Sequence, residues 1–230
     1  MPRNVEEIVN RQVAQWEKER ELAFRRRESA RPNVVAVSHE LKSHGFEIAT
    51  RAGRLLELPV FDREIVEHIA RSARVRLAAV ESLDTQVRNR IDEYTTSLLS
   101  ERNFDRGDYL RHLSRTVATL WEHGSCVLTG HGCVHLVPPE HALRVRIVAP
   151  FDLRARRLAA DEGVDPAEAA RHVRRNDEQR GAFHRRFFGA GIDDLAHFDL
   201  VLNTGSLGDD DAAAIVATAY RRKFPGLIVR

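Results

Sequence analysis

The sequence predicts a three-layer α/β fold in which helices cover both faces of a parallel β-sheet. Short apolar segments rich in valine, isoleucine and leucine alternate along the chain with longer segments of helical periodicity. Strands that are apolar throughout are typical of a parallel sheet that is buried on both faces. The first such segment, residues 34–38, leads through a polar loop directly into a helical pattern. Ligands of these folds bind beyond the carboxyl ends of the strands, so we expect the functional site there.

The elements can be assigned in chain order from apolar periodicity and helix-ending residues. Residues 4–29 form a predicted helix, which Pro32 ends. Its apolar stripe consists of Val5, Val9, Val13 and Trp16. The other predicted strands cover residues 58–61, 125–129, 143–149 and 200–203, and the other predicted helices cover about 45–57, 63–73, 77–101, 106–123, 152–162, 166–187 and 209–223.

The composition is that of an ordinary globular protein. The 230 residues are 43% apolar and 30% charged, with a formal net charge of only +2. A nucleic-acid-binding protein usually carries a larger positive excess, so this function is not expected. Cys126 and Cys133 match no zinc-binding spacing, and no histidine pair at i, i+4 on a helix has a carboxylate between its members as in H-E-x-x-H, so no resident metal is predicted. The absence of a membrane-length apolar run and of a signal-peptide core favours a cytoplasmic protein.

The loop after residues 34–38 has the position of a phosphate-binding loop. A loop that enters a helix N-terminus presents backbone N–H groups, and the helix dipole favours negative charge there. The loop contains Lys42, one of three lysines in the chain. The motif G-x-x-x-x-G-K-[ST] is absent, however. The pattern therefore leaves Lys42 as either a phosphate ligand or a solvated loop lysine.

Six short segments have an informative order and spacing. They are F-D-R-E-I-V at 61–66, V-E-S-L-D at 80–84, L-R-V-R-I-V-A-P at 143–150, R-R-N-D-E-Q-R at 174–180, F-F-G at 187–189 and D-L-V-L-N-T-G at 199–205. Each is weakly specific alone. Together, over residues 34–224, they resemble the bacterial cytidylate kinase-like family, a branch of the P-loop nucleoside monophosphate kinases.

This resemblance implies a P-loop NTPase-type three-layer fold with two additions. A helical insertion at 63–123 would bind a nucleoside monophosphate, and an arginine-rich lid at 165–190 would close over the nucleotides. Residues 34–230 would form the kinase-like domain, and residues 1–33 an N-terminal helical extension. ATP with Mg²⁺ would serve as the phosphoryl donor, and CMP or a similar small acceptor would be the nucleoside monophosphate substrate.

The loop departs from the family pattern S-R-E-x-G-S-G-G-R-E-I-A at four positions. His39 and Phe46 stand where the family has arginine, and Lys42 and His44 stand where it has glycine. Glycine permits positive φ and close approach of the backbone to phosphate, so these changes predict strain or a changed loop path. His131 is a further departure, because the related kinases commonly have an arginine there to grip the acceptor phosphate.

The resemblance assigns candidate residues to three tasks. Catalysis would use Lys42, Arg174 and Arg180. Nucleotide binding would use Ser38, Ser43, Gly45 and Glu47. Acceptor binding would use Asp62, His131 and Asp177.

Structural alternatives stay open for several of these residues. Glu47, where a standard motif offers Ser or Thr to magnesium, can instead support the first turn of the helix. Asp62 can N-cap the helix that follows it. The run 171–186 can be a solvated helix with internal ion pairs. Within the lid interpretation, Asp177 would orient an arginine or the base rather than abstract a proton, because a loose transition state asks little of a base.

Two hypotheses about function remain, from different classes. The first is an ATP-dependent phosphotransferase, which the largely intact lid favours. The second is a catalytically degenerate nucleotide-binding, sensing or structural protein, which the altered loop favours. The helix at 4–29 would pack on its own domain or on a second subunit. We expect it to be dispensable for the core fold and to support a homo-oligomer.

Overall fold

Five strands form one parallel sheet in the part of the chain that the structure, a computed structural model, describes: residues 4–23, 32–81, 83, 85–101, 108–130 and 132–225. The strands are β1 (Val34–His39), β2 (Val60–Phe61), β3 (Cys126–Thr129), β4 (Ala142–Val148) and β5 (Leu200–Asn203). Their order is β2-β3-β1-β4-β5, and every neighbouring pair is parallel. The predicted α/β fold with a parallel sheet is confirmed.

The helices follow the predicted order with one exception. They are α1 (Val5–Ala23), α2 (Gly45–Leu56), α3 (Arg63–Arg71), α4 (Ala73–Glu81), α5 (Thr85–Glu101), α6 (Asp108–His123), α7 (Cys133–Leu136), α8 (Phe151–Glu162), α9 (Pro166–Phe188) and α10 (Asp209–Lys223). The prediction of one helix over 77–101 is wrong, because this stretch is divided between α4 and α5. Apolar periodicity on both sides of a break does not register the break itself. The short α7 and the 3₁₀ turns at Pro139–His141 and Leu195–His197 were not predicted.

The central strand β1 is buried on both faces. Val34 and Ala36 belong to an apolar cluster that includes Trp121 of α6, and Val35 and Val37 belong to a second cluster with α2 and α10. Successive side chains of a strand point to opposite faces, so the two clusters are the two sides of the sheet. This double burial explains why the segment is apolar without alternation.

The apolar stripe of α1 is covered within the same chain. Val9 and Trp16 are only 1% and 5% exposed and lie in the cluster that includes Val34. The Trp16 ring stacks on His123 with the ring centroids 4.0 Å apart. The stripe therefore needs no second subunit to bury it, and assembly through α1 stays a prediction without that support. Residues 24–29 of the predicted helix lie outside the described residues.

Candidate functional site

Strands β1 and β4 end side by side, at the sheet edge where the loop 40–44 begins. Their register places Ser38 opposite Arg146. The Arg146 guanidinium donates from Nη1 to Ser38 Oγ across 3.0 Å, and both side chains are buried. Ser38, predicted to bind nucleotide, is thus at the predicted edge, where it accepts a hydrogen bond from a buried cation.

The loop has a left-handed backbone at both positions where glycine was expected. Lys42 and His44 each have φ of 59°. This conformation costs a non-glycine residue about 1–2 kcal/mol, so neighbouring contacts must hold it. Thr204 Oγ1 donates to the Ser43 carbonyl and Arg157 Nη1 donates to the Lys42 carbonyl, both across 3.0 Å. The substitutions at 42 and 44 were expected to cause either backbone strain or a changed path of the loop. The positive φ at both residues shows backbone strain.

Ser43 is occupied inside the loop. Its side chain is fully buried, and Oγ donates to the Glu40 carbonyl across 2.9 Å. Its backbone N–H donates to the same carbonyl across 3.3 Å. A hydroxyl has a single hydrogen to donate, so none remains for a phosphate oxygen. In this conformation the donors of Ser43 shape the loop, and its contact with nucleotide stays a prediction.

Lys42 is directed to α8. Its Nζ lies 2.9 Å from Asp161 Oδ2 and 4.0 Å from Glu162 Oε1. These carboxylates are at the carboxyl end of α8, where the helix dipole also favours a cation. In this conformation Lys42 is ion-paired with α8, and its role at the transferring phosphate stays a prediction.

Because Lys42 has a left-handed backbone, Lys42→Gly should be more stable than Lys42→Ala by about 1 kcal/mol. Both variants lose the ion pairs, but only glycine adopts φ of 59° without a steric penalty. Urea unfolding of the two variants measures the difference. Glu57, with φ of 55° at the C-terminus of α2, gives a matched control pair in Glu57→Gly and Glu57→Ala. Equal stability at position 42, with the expected difference at 57, would show that Lys42 is not strained.

The His39 side chain lies against Gly45 and leaves no room for a side chain at position 45. A Cβ added to Gly45 would overlap Cβ and Cγ of His39. Burial, followed by the nearby charge of Arg180, lowers the pKa of His39 to about 4. His39 is therefore neutral at pH 7, where the family has a cationic arginine. Gly45 lies at the start of α2 and leaves room for the His39 side chain, which fills the space beside it. Its contact with nucleotide stays a prediction.

The N-terminus of α2 carries acidic groups. Glu47 is exposed in its first turn, where a carboxylate is stabilised by the helix dipole. His44 precedes the helix, and its Nδ1 lies 3.1 Å from Oδ1 of Asp209 at the start of α10. This position of Glu47 agrees with its helix-supporting alternative, and a magnesium role stays a prediction.

Arg180 of α9 lies among cations. Burial lowers its pKa to about 10, Arg146 lowers the pKa further, and Asp177 and Glu40 oppose the shift. Among the described residues, no carboxylate lies within ion-pair distance of Arg180. A partly desolvated guanidinium without a paired anion is expected to bind one. Arg180 thus has the electrostatics of an anion site.

The other two predicted lid residues, Asp177 and Arg174, lie in different surroundings. Asp177 accepts two hydrogen bonds from Arg154, 3.0 and 2.9 Å long. This is the arginine-orienting role expected of it. Arg174 is exposed, with its guanidinium 5.5 Å from the centre of the Phe151 ring. The structure therefore places Asp177 and Arg180 in one charged cluster, which also contains Glu40, Arg146 and Arg154. Arg174 stays at the surface.

Sequence reasoning missed three residues of this cluster, Glu40, Arg146 and Arg154. Both arginines are buried, with 3% and 4% of their surfaces exposed. A signal was present, because Arg144 and Arg146 interrupt an otherwise apolar strand, and a charge within a buried strand is usually paired or functional. No such signal marked Glu40 and Arg154, which sit in polar stretches.

The acceptor-binding candidates are only partly described. Asp62 is buried and N-caps α3, with its carboxylate accepting from the Ile65 N–H across 2.9 Å. This is its structural alternative. His131 lies outside the described residues. Its neighbour Gly132 has φ of 67°, and a Cβ there would overlap the Phe188 ring, so only glycine fits.

Two further observations concern only the described part of the chain. No group of three or more His, Cys, Asp or Glu side chains is placed to hold a metal ion. No helix there combines the length and apolar character that crossing a membrane requires.

The strand order and the loop from central strand β1 into α2 define a P-loop NTPase-type fold. A family model described as "Cytidylate kinase-like family" matches residues 34–206. The chain belongs to the cytidylate kinase-like family, which confirms the resemblance seen in the sequence.

Individual relatives agree with this assignment. A protein named "Cytidylate kinase" from Pyrobaculum aerophilum is 29% identical over 183 residues, which cover 79% of this chain and 89% of that one. Another "Cytidylate kinase", from Methanopyrus kandleri, is 31% identical over 86 residues, and the match spans 37% of this chain and 45% of that one. The solved structure of an uncharacterized protein from Eubacterium ventriosum superposes with a TM-score of 0.65 at 18% identity, covering 83% of this chain and 98% of that one. This last similarity supports the fold alone.

Proposed function

We propose that this protein transfers a phosphoryl group from ATP, bound with Mg²⁺, to a nucleoside monophosphate, CMP or a similar small acceptor. The observation that carries the proposal is Arg180, a desolvated guanidinium beside Arg146 with no described carboxylate within ion-pair distance. Relatives that are named cytidylate kinase support the acceptor class. We also propose that the protein acts in the cytoplasm.

The backbone of the loop has features that suit anion binding, although the loop sequence departs from the family pattern. Lys42 and His44 retain the left-handed backbone of a glycine loop. The first turn of α2 adds N–H groups without intrahelical partners, and its dipole favours the phosphates of the donor. Glu47 is the carboxylate in this turn that would meet a nucleotide-bound Mg²⁺. When bound, Mg²⁺ supplies neutralisation of phosphate charge.

The transfer step would depend on positioning and charge neutralisation. Arg180 would lie against the transferring phosphoryl group and stabilise the charge on its oxygens. Asp177 would orient the neighbouring arginine, and Arg174 would join from the surface when the lid closes. The insertion at 63–123, with Asp62 and His131, would hold the acceptor. No strong general base is required for such a loose transition state.

A second function, nucleotide binding without turnover, is favoured by different observations. The loop lysine is paired with Asp161, and His39, the last residue of β1, is neutral and packed against Gly45. Each change removes positive charge or space from the phosphate site. A nucleotide sensor would tolerate these losses better than a phosphotransferase would.

We expect saturating MgATP and CMP to raise the melting temperature of the protein. We also expect the protein to form ADP from these two nucleotides. Ligand at a hundredfold excess over its dissociation constant adds about 2.7 kcal/mol to the free energy of unfolding. Differential scanning fluorimetry and a coupled ADP assay measure the two effects. A thermal shift without ADP, for any nucleoside monophosphate, would select the non-catalytic function.

A paired substitution tests the altered loop directly. If the natural chain binds no nucleotide, while the variant with His39→Arg and His44→Gly does, the loop has lost its function by substitution. If neither protein binds MgATP or CMP, the proposed function is wrong. The same double substitution also restores the family residues at 39 and 44, so a gain of ADP release would support the assignment of this loop as the donor site.

A further inference from the structure

The Glu40 carboxylate joins the loop to two other elements. Glu40 is the first residue after β1, and its Oε2 accepts a hydrogen bond from the N–H of Ala149, just beyond β4, across 2.9 Å. The same oxygen lies 3.2 Å from Arg154 Nε, and Oε1 lies 3.6 Å from Arg146 Nη2. One carboxylate at the start of the loop thus faces both buried arginines of the site.

Arg154 continues this connection to the lid helix. Its Nε also donates to the Ala149 carbonyl across 3.1 Å, while Nη1 and Nη2 donate to the two carboxylate oxygens of Asp177 on α9. A planar guanidinium that is bonded on two edges has little rotational freedom, so its partners share one geometry. Glu40, Arg154 and Asp177 therefore form a continuous link from the loop to α9, with buried Arg154 between two partly exposed carboxylates.

We propose that Glu40, Arg154 and Asp177 are positioning residues that couple occupation of the loop to the position of Arg180. The proposal rests on the proposed function. Asp177 and Arg180 are three residues apart on α9, so they share a helical face. A nucleotide that displaces Glu40 removes one of the two carboxylates that Arg154 contacts, so Arg154 is then held by Asp177 and its position shifts with that of α9.

The rest of the α8–α9 contact does not depend on this link. Ala155 and Leu158 of α8 pack with Ala169 and Val173 in a separate apolar cluster. That cluster holds the N-terminal half of α9, and the link holds the part that carries Asp177 and Arg180. Loss of the link should therefore loosen one part of the helix and spare the other.

Amide hydrogen exchange of the full-length protein without nucleotide tests this division. In Asp177→Asn, exchange in residues 174–184 should become roughly tenfold faster, because a charge-assisted hydrogen bond is lost. Exchange in residues 166–173 should not change. Arg154→Lys, which keeps the charge but cannot bond two oxygens in parallel, should give an intermediate effect. Asp199→Asn is the control, since it breaks an ion pair with Arg144 at a different edge of the sheet.

Equal acceleration along the whole of α9, or none at all, would overturn the link. The coupling itself is tested with Glu40→Gln, which keeps an oxygen for the Ala149 N–H and loses the charge. We expect MgATP to slow exchange in residues 174–184 of the natural protein. In Glu40→Gln, MgATP should still raise the melting temperature but should not slow this exchange. Equal protection in both proteins would refute the coupling. If MgATP stabilises neither protein, the proposed function and the coupling fail together, and the nucleotide-free comparison still decides whether the link holds α9.

Discussion

Replacement of Arg180 by alanine should reduce phosphoryl transfer by roughly 10²–10³-fold, the effect of removing one preorganised group that stabilises transition-state charge. The melting temperature of the nucleotide-free protein should stay the same or rise. The reason is electrostatic: burial and the nearby Arg146 lower the pKa of Arg180 to about 10, so the folded protein disfavours the charged guanidinium. An ADP-release assay and a thermal melt of the same variant measure both effects.

The direction of the stability change follows from linkage. A base whose pKa is lowered on folding opposes folding at every pH at which it is charged, and at pH 7 Arg180 is charged. Arg171→Ala is the matched control, because Arg171 is an exposed arginine on the same helix. A large loss of stability in Arg180→Ala would instead place Arg180 in a structural network with Asp177 and Glu40. Unchanged turnover would remove it from the transfer step.

Trp16→Ala should lower the free energy of unfolding by about 3–5 kcal/mol, the usual cost of truncating a buried tryptophan. Its ring stacks on His123 and lies 6.2 Å, centroid to centroid, from Phe61, the last residue of β2. A chain that begins at Asn33 should lose even more, because Val9 is buried in the same cluster. This replaces the sequence-based expectation that the core folds without the helix.

Urea unfolding of the full-length variant measures this effect. Arg11→Ala is the control on the same helix, since Arg11 is exposed and pairs with Glu7 one turn away. It should change stability by less than about 0.5 kcal/mol. A Trp16 variant within that range, or a folded chain starting at Asn33, would show that α1 is an appendage after all. A mass measurement in solution on the same samples tests assembly through α1 independently.

The local signals in the sequence predicted most of the fold. The strand at 34–38 was recognised because burial on both faces leaves an uninterrupted apolar run. The start of α9 was recognised from Asp165-Pro166, and the Asp165 carboxylate does accept the Ala167 N–H across 2.9 Å. Such signals act within a few residues, so they survive without knowledge of the rest of the chain. The break between α4 and α5 left no such signal in the apolar pattern.

The sequence alone predicted where the candidate site lies, because a loop between a buried strand and a helix is a local feature. The order of six short segments indicated the family. The contacts of the charged side chains near this loop became apparent only from the three-dimensional packing. Lys42 turns to Asp161 and Arg154 grips Asp177, partners that are 119 and 23 residues away along the chain. The direction of a long charged side chain depends on which opposite charge folding brings near it. That information belongs to the packing of α8 and α9 around the loop and is absent from any single segment.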